Sequence, residues 1–382
     1  MTALDLIGAQ VLLPGQGLVD APLSFADGWI VSEPAGRRVD LSGCMILPGI
    51  VDLHGDGFER HVAPRRGAMT DVAEGLVAAA GELALNGITT AVLAQFYSWE
   101  GGLRGPEFAE KVFTAIAAVR PRVIPDLIPQ LRFETYMLDD YAALPDRLAA
   151  WGVPYVVFND HLAHDRLAAG RKPPRLTGQA LKAGRNPDAY FQTMLALEAR
   201  GPEVPAALEA LTARLGDVGI RMGSHDDRDP QTRAAWRARG VGIAEFPETR
   251  EAAEAARAAG DAIVMGAPNV MRGGSHNGNV SALDLVASGL CDALASDYHY
   301  PSPRRAALSL AQTGVLGVEA AWDLVSAGPA RVLGLSDRGT LAPGKRADLL
   351  VLERSSGRIV AVFAAGRVAH MSGDLAARFL TG

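Results

Sequence analysis

The chain presents eight short β-rich runs, and from Gly87 onward each ends in polar residues and is followed by an Ala/Leu-rich helical stretch. The runs are Met45–His54, Ile88–Phe96, Leu127–Tyr136, Tyr155–Asn159, Ile220–Ser224, Gly242–Phe246, Ala262–Met265 and Ala293–Ser296. Alternation of this kind is how parallel strands joined by helical crossovers read in sequence, and eight strands are what an α/β (β/α)8 TIM barrel needs. Residues 3–44 and 341–370 instead alternate short apolar runs with turn residues, and neither flank can bury a core alone. The economical solution is a small β-sandwich built from both chain ends. The expected division is 1–44 for the first part of the sandwich, 45–338 for the barrel and 339–382 for the second part.

A chain of 382 residues is long enough for one large domain with an accessory. With 37 basic and 43 acidic residues the formal charge is −6, so no global basic footprint argues for nucleic acid. No basic segment precedes an apolar run at the start of the sequence, and nothing approaches a membrane-spanning apolar stretch. A cytoplasmic location is therefore expected. Cys44 and Cys291 are too few and too far apart for a disulfide framework or a metal knuckle, and read as small core residues. The sequence leaves a homo-oligomer open.

Within the first run, Leu47-Pro48-Gly49-Ile50-Val51-Asp52-Leu53-His54-Gly55-Asp56, a histidine and a carboxylate stand two apart. Side chains at i and i+2 of a strand share a face, so His54 and Asp56 can grip one cation from one strand end. Glu134 closes the third run, Asp160-His161 the fourth, His225-Asp226-Asp227 the fifth and Asp297 the eighth. Each alone reads more readily as a helix cap or solvated loop residue. Together they form a mixed N/O set suited to Zn²⁺ or a similar divalent ion, with His54, Asp56, Glu134, Asp160, His161 and His225 as candidate ligands. Two ions about 3.5 to 4 Å apart would need a bridging carboxylate, from Glu134 or Asp160. Asp297 is the natural proton shuttle.

These residues resemble the amidohydrolase superfamily, whose members share the LPGxVDxH strand, a metal centre in a barrel, a strand-eight aspartate and a split β-sandwich. The return segment Gly339 to Leu349 is similar as well. Ser224 to Asp227, Ala244 to Thr249, Met265 to Val280 and Ser296-Asp297-Tyr298 resemble more narrowly the PhnM family of α-D-ribose 1-methylphosphonate 5-triphosphate diphosphatases, and the likeness runs nearly end to end. It implies a metal-dependent hydrolase of phosphonate metabolism that releases pyrophosphate from a ribose 5-triphosphate. Three segments depart from that family's pattern: Leu162 to Arg166, His299 to Arg305, and His54-Gly55-Asp56-Gly57 in place of His-Thr-Asp-Asn.

Two further features suit a small phosphorylated substrate. Arg166, Arg171, Lys172, Arg175, Lys182 and Arg185 follow one another without an acidic residue between them, and guanidinium groups bind phosphate oxygens in bidentate fashion. In Arg272-Gly273-Gly274-Ser275-His276-Asn277-Gly278-Asn279, glycines let backbone N–H groups approach an anion, with Arg272 supplying charge and His276 a hydrogen bond. The bland alternatives are a solvated basic loop and a long turn. Two rivals remain: a deaminase or cyclic-amide hydrolase using the same metal site on a C–N bond, and a barrel kept as a non-catalytic binding or assembly module.

Overall fold

The backbone turns a corner between Gly49 and Ile50: the Gly49 N–H donates to the Asp348 carbonyl at 2.9 Å, and the next N–H, of Ile50, donates to Gly87 at 3.0 Å. The run expected as one strand from Met45 to His54 is therefore two. Cys44–Pro48 pairs antiparallel with Leu349–Glu353, whereas Ile50–Gly55 (β1) pairs parallel with Ile88–Tyr97 (β2). Glycine is required at the corner because a Cβ on Gly49 would lie 2.4 Å from Thr89 Oγ1. The buried Trp322 indole fixes the same corner by donating to the Pro48 carbonyl at 2.9 Å.

The computed structural model describes residues 3–63, 71–274 and 278–380. They pack as two compact units, one drawn from Met1–Leu93, Ala118–Ile128 and Ile263–Gly382, the other from Ala94–Ala117 and Pro129–Ala262. In the first, both chain ends share one six-stranded sheet, in the order Arg367–Met371, Ile359–Ala364, Leu349–Glu353, Cys44–Pro48, Gln10–Leu13, Gly17–Asp20. A four-stranded sheet, ordered Trp29–Val31, Leu23–Ala26, Leu4–Ile7, Arg37–Asp40, accompanies it. Alternate residues of both sheets, among them Leu6, Phe25, Ile46, Val351 and Phe363, bury one core, with the Phe25 and Phe363 rings 5.3 Å apart. Each such side chain contributes roughly 1.5–3 kcal/mol by leaving water. Cys44 and Cys291 are buried free thiols.

The eight-stranded sheet follows chain order without exception: β1, β2, Asp126–Glu134 (β3), Tyr155–Asn159 (β4), Arg221–His225 (β5), Ile243–Glu245 (β6), Ala262–Gly266 (β7) and Ala293–Ala295 (β8). Its two edges meet in a parallel bridge between Gly55 and Asp297. Asp52 locks this closure, its buried carboxylate accepting from the Ser296 N–H at 2.8 Å and hydroxyl at 2.5 Å. The architecture is the TIM barrel that the strand–helix alternation predicts, with additional sheets assembled from the chain ends.

In the second unit the basic stretch is folded rather than loose. His164–Ala168, Leu176–Lys182 and Pro187–Ala199 are helices, and their apolar Leu167, Leu176, Tyr190, Phe191 and Met194 pack with Trp99 and Tyr136. Asn186 caps the third helix, accepting from Asp188 N at 2.9 Å, with Pro187 at the first turn where its missing N–H costs nothing. Among the described residues no helix is long and apolar enough to cross a membrane.

Candidate metal centre

In the first unit backbone hydrogen bonds stitch the ends of β1 and β8. Asp297 N donates to the His54 carbonyl at 3.0 Å, and Asp56 N donates to the Asp297 carbonyl at 2.9 Å. His54 is fully buried, and Asp56 and Asp297 are half-buried. Asp297 holds φ at 56°, a left-handed conformation that costs a non-glycine residue free energy and is retained where geometry demands it. Gly55 and Gly57 leave room for Tyr300: a Cβ on Gly55 would meet Asp52 Oδ2 at 2.8 Å and the Tyr300 ring at 3.1 Å, and one on Gly57 would meet that ring at 3.2 Å. The glycines at 55 and 57 thus make room for the Tyr300 ring.

In the second unit Gln130, Arg132 and Glu134 alternate along β3 and so share a face. Gln130 Nε2 donates to Glu245 Oε1 at 3.1 Å, and the Tyr155 hydroxyl donates to the same oxygen at 2.6 Å. Burial, and then the Glu245 charge, push the Tyr155 hydroxyl well above its usual range, so it remains a donor. The other carboxylate oxygen of Glu245 lies 3.4 Å from His225 Nδ1, and an Arg132 guanidinium nitrogen lies 2.9 Å from His225 Nε2. Arginine only donates, so Nε2 accepts and the proton sits on Nδ1 facing Glu245. In that tautomer Glu245 orients the ring and the Nε2 lone pair is engaged by Arg132.

Asp226 and Phe246, directly after β5 and β6, hold φ at 60° and 55°. With Asp297, three of the five non-glycine residues of positive φ among the described residues thus sit at barrel strand ends. Asp227 turns away from this rim into a buried cluster, where Ser224 Oγ donates to it at 2.8 Å and Arg233 pairs with it at 3.0 Å.

Glu134, fully buried, accepts from the His161 backbone N–H at 3.2 Å and is paired with its ring. Burial opposes a charge on His161, but the Glu134 hydrogen bond and charge prevail and raise its pKa. Asp160 points elsewhere: it caps Leu162 N at 3.1 Å and meets His164 Nε2 at 2.8 Å, while His164 Nδ1 meets Glu198 at 2.6 Å. Held first by the Asp160 hydrogen bond, against burial, His164 is pushed up to about 9. His61 pairs with Glu82 at 2.5 Å.

In the second unit His225 and Glu245, at the ends of β5 and β6, set an imidazole beside a carboxylate, two donor types that a divalent ion of the zinc type accepts. In the first unit His54 lies at the end of β1. Glu245 has no counterpart among the ligands expected from sequence.

The expected phosphate contacts are dispersed. Arg272, exposed at the last turn of Ala267–Arg272, donates to the Tyr298 hydroxyl at 2.6 Å. Gly273 ends that helix at φ 74°, Gly274 follows, and His276 lies outside the described residues. Arg166, Arg171 and Lys172 are exposed, with Lys172 paired to Asp188 at 2.6 Å. Arg185 reaches inward instead, donating to the Trp99 carbonyl at 3.0 Å.

The chain is 34% identical over 332 residues to the α-D-ribose 1-methylphosphonate 5-triphosphate diphosphatase of Escherichia coli K12, a match that covers 85% of this chain and 87% of the relative. Among solved structures it resembles a triazine hydrolase variant (TM-score 0.64, 14% identity, 100% of this chain and 98% of the other). It also resembles the β-aspartyl dipeptidase of Fervidobacterium islandicum AW-1 (TM-score 0.62, 13% identity, 98% and 99%). These likenesses establish the fold. The amidohydrolase family model matches residues 152–365. With that match, the curated relative and the barrel agreeing, the chain belongs to the amidohydrolase superfamily of hydrolases.

Proposed function

We propose that this chain is a metal-dependent diphosphatase that cleaves the bond between the α- and β-phosphates of a ribose 5-triphosphate, leaving a 5-phosphate and releasing pyrophosphate. The residues that end the strands, His54 on β1 and the His225–Glu245 pair on β5 and β6, carry the reading, in a chain 34% identical to a relative named for that reaction. His54, His225 and Glu245 would hold a divalent ion, with Asp56 and Glu134 as further carboxylates at strand ends. Such an ion supplies Lewis acidity, which lowers the pKa of water and draws off phosphoryl charge.

The remaining work falls to the protein's own groups. Asp297, in hydrogen-bonded register with His54 and Asp56, accepts the proton of the attacking water and passes it to the departing pyrophosphate. Tyr155 and Gln130 fix the Glu245 carboxylate, and Glu245 fixes the His225 tautomer. Arginines neutralise the charge that builds on the phosphoryl oxygens. The test is product analysis: a ribose triphosphate should yield pyrophosphate and a 5-phosphate. Ammonia or amine release from amides and aminated rings, without pyrophosphate, would move the chemistry to a C–N bond.

A further inference from the structure

The ring of Phe96, near the end of β2, carries two guanidiniums: Arg132 at 4.0 Å and Arg104 at 4.1 Å from its centroid. Two guanidiniums on one ring repel each other, and a bound anion offsets that repulsion. Their carriers are rigid. Arg132 comes from β3 and is 5% exposed. Arg104 ends a short turn that is tied back by Ser98 N to the Arg104 carbonyl at 2.7 Å and by Gln95 Nε2 to the Leu103 carbonyl at 3.0 Å. Arg185 adds a third cation from the basic stretch by its bond to Trp99 in the same turn. Glu100, 2.8 Å from Arg104, is the counter-charge on this turn. The Arg104 side chain is 42% exposed, and Arg132 touches His225, so the pair runs from solvent to the candidate ligand.

We propose that Arg104 and Arg132, stacked on Phe96, form a subsite for the terminal phosphates of a polyphosphate, the portion that leaves as pyrophosphate. Guanidiniums offer bidentate donors to phosphate oxygens, and two of them on separate chain segments can meet successive phosphate groups. The proposal rests on the diphosphatase reading, since it places the leaving group of that reaction.

The experiment is calorimetric titration of inorganic pyrophosphate into the full-length metal-loaded protein and its Arg104→Met, Arg104→Lys and Arg132→Met variants, with metal content and melting temperature measured alongside. Arg104→Met should weaken pyrophosphate binding at least about tenfold at unchanged metal content and melting temperature, with Arg104→Lys intermediate. Because Arg104 is half-exposed, its variants keep the fold whatever Arg132→Met does. Wild-type affinity in both methionine variants, with triphosphate hydrolysis intact, overturns the subsite and leaves the reaction standing. Weakened binding in Arg104→Met together with no triphosphate hydrolysis overturns the reaction and supports the anion subsite.

Discussion

The Asp297 amide donates to the His54 carbonyl at 3.0 Å, so the proposed proton acceptor and the first histidine of the metal group are neighbours across the seam where β8 closes on β1. Register at this seam is held by main-chain hydrogen bonds and by the Asp52–Ser296 lock. Either can therefore be replaced with the backbone left in place. Asp297→Asn should retain bound metal and lose about 10²–10⁴ in turnover, as expected of a lost general acid–base. Steady-state kinetics with metal analysis checks this, and near-normal turnover would remove Asp297 from its role.

Tyr155 is the test of Glu245. Replacing Tyr155 by Phe leaves Glu245 with one donor fewer in a buried setting, an expected loss of about 1–3 kcal/mol in stability. Metal affinity should fall about 10–100-fold, as for other groups that orient a ligand. Denaturant titration and competition with a chelator measure the two effects separately.

Gly55→Thr restores the residue of the PhnM pattern and should nonetheless destabilise by about 1–3 kcal/mol, because Asp52, Ser296 and Tyr300 occupy the space of its Cβ. Combined with Tyr300→Ala the losses should be less than additive, since the smaller residue vacates part of that space. Full additivity in a double-mutant cycle would contradict the contact between position 55 and the Tyr300 ring.

His164 carries a pH signature. Its folded pKa is raised from 6.5 to about 9, so its contribution to stability is complete below pH 6.5 and is lost as pH rises through about 9. Wild type should exceed His164→Gln by about 1–2 kcal/mol at pH 6, after allowance for solvent screening, with the gap closing by pH 10. Urea denaturation at both pH values decides it, and a gap that widens with pH would contradict the pairing with Asp160 and Glu198.

Strand periodicity and polar strand ends were enough to read the barrel, because each strand is short, β-rich and terminated by a residue that needs water or a ligand. The corner at Gly49 was not legible, since Pro48-Gly49 stands within one largely apolar run, and it is the hydrogen bonds to Asp348 and Gly87 that show the run serving two sheets. Glu245 escaped for a related reason. An acidic residue that ends a three-residue strand looks like any loop acid until Tyr155, Gln130 and His225 surround it. The basic stretch reads as a solvated segment by charge alone, whereas Leu167, Leu176 and Ala180 dock it and turn Arg185 inward. Arg132 has no sequence signal at all, because an arginine within a strand says nothing about the imidazole it will meet.

The most direct test is pyrophosphate release from a ribose 5-triphosphate by purified protein, before and after removal of divalent metal by a chelator. The account predicts stoichiometric pyrophosphate that stops on chelation and returns when zinc or a similar ion is restored. Folded, metal-loaded protein that releases no pyrophosphate, or release indifferent to the chelator, would contradict it.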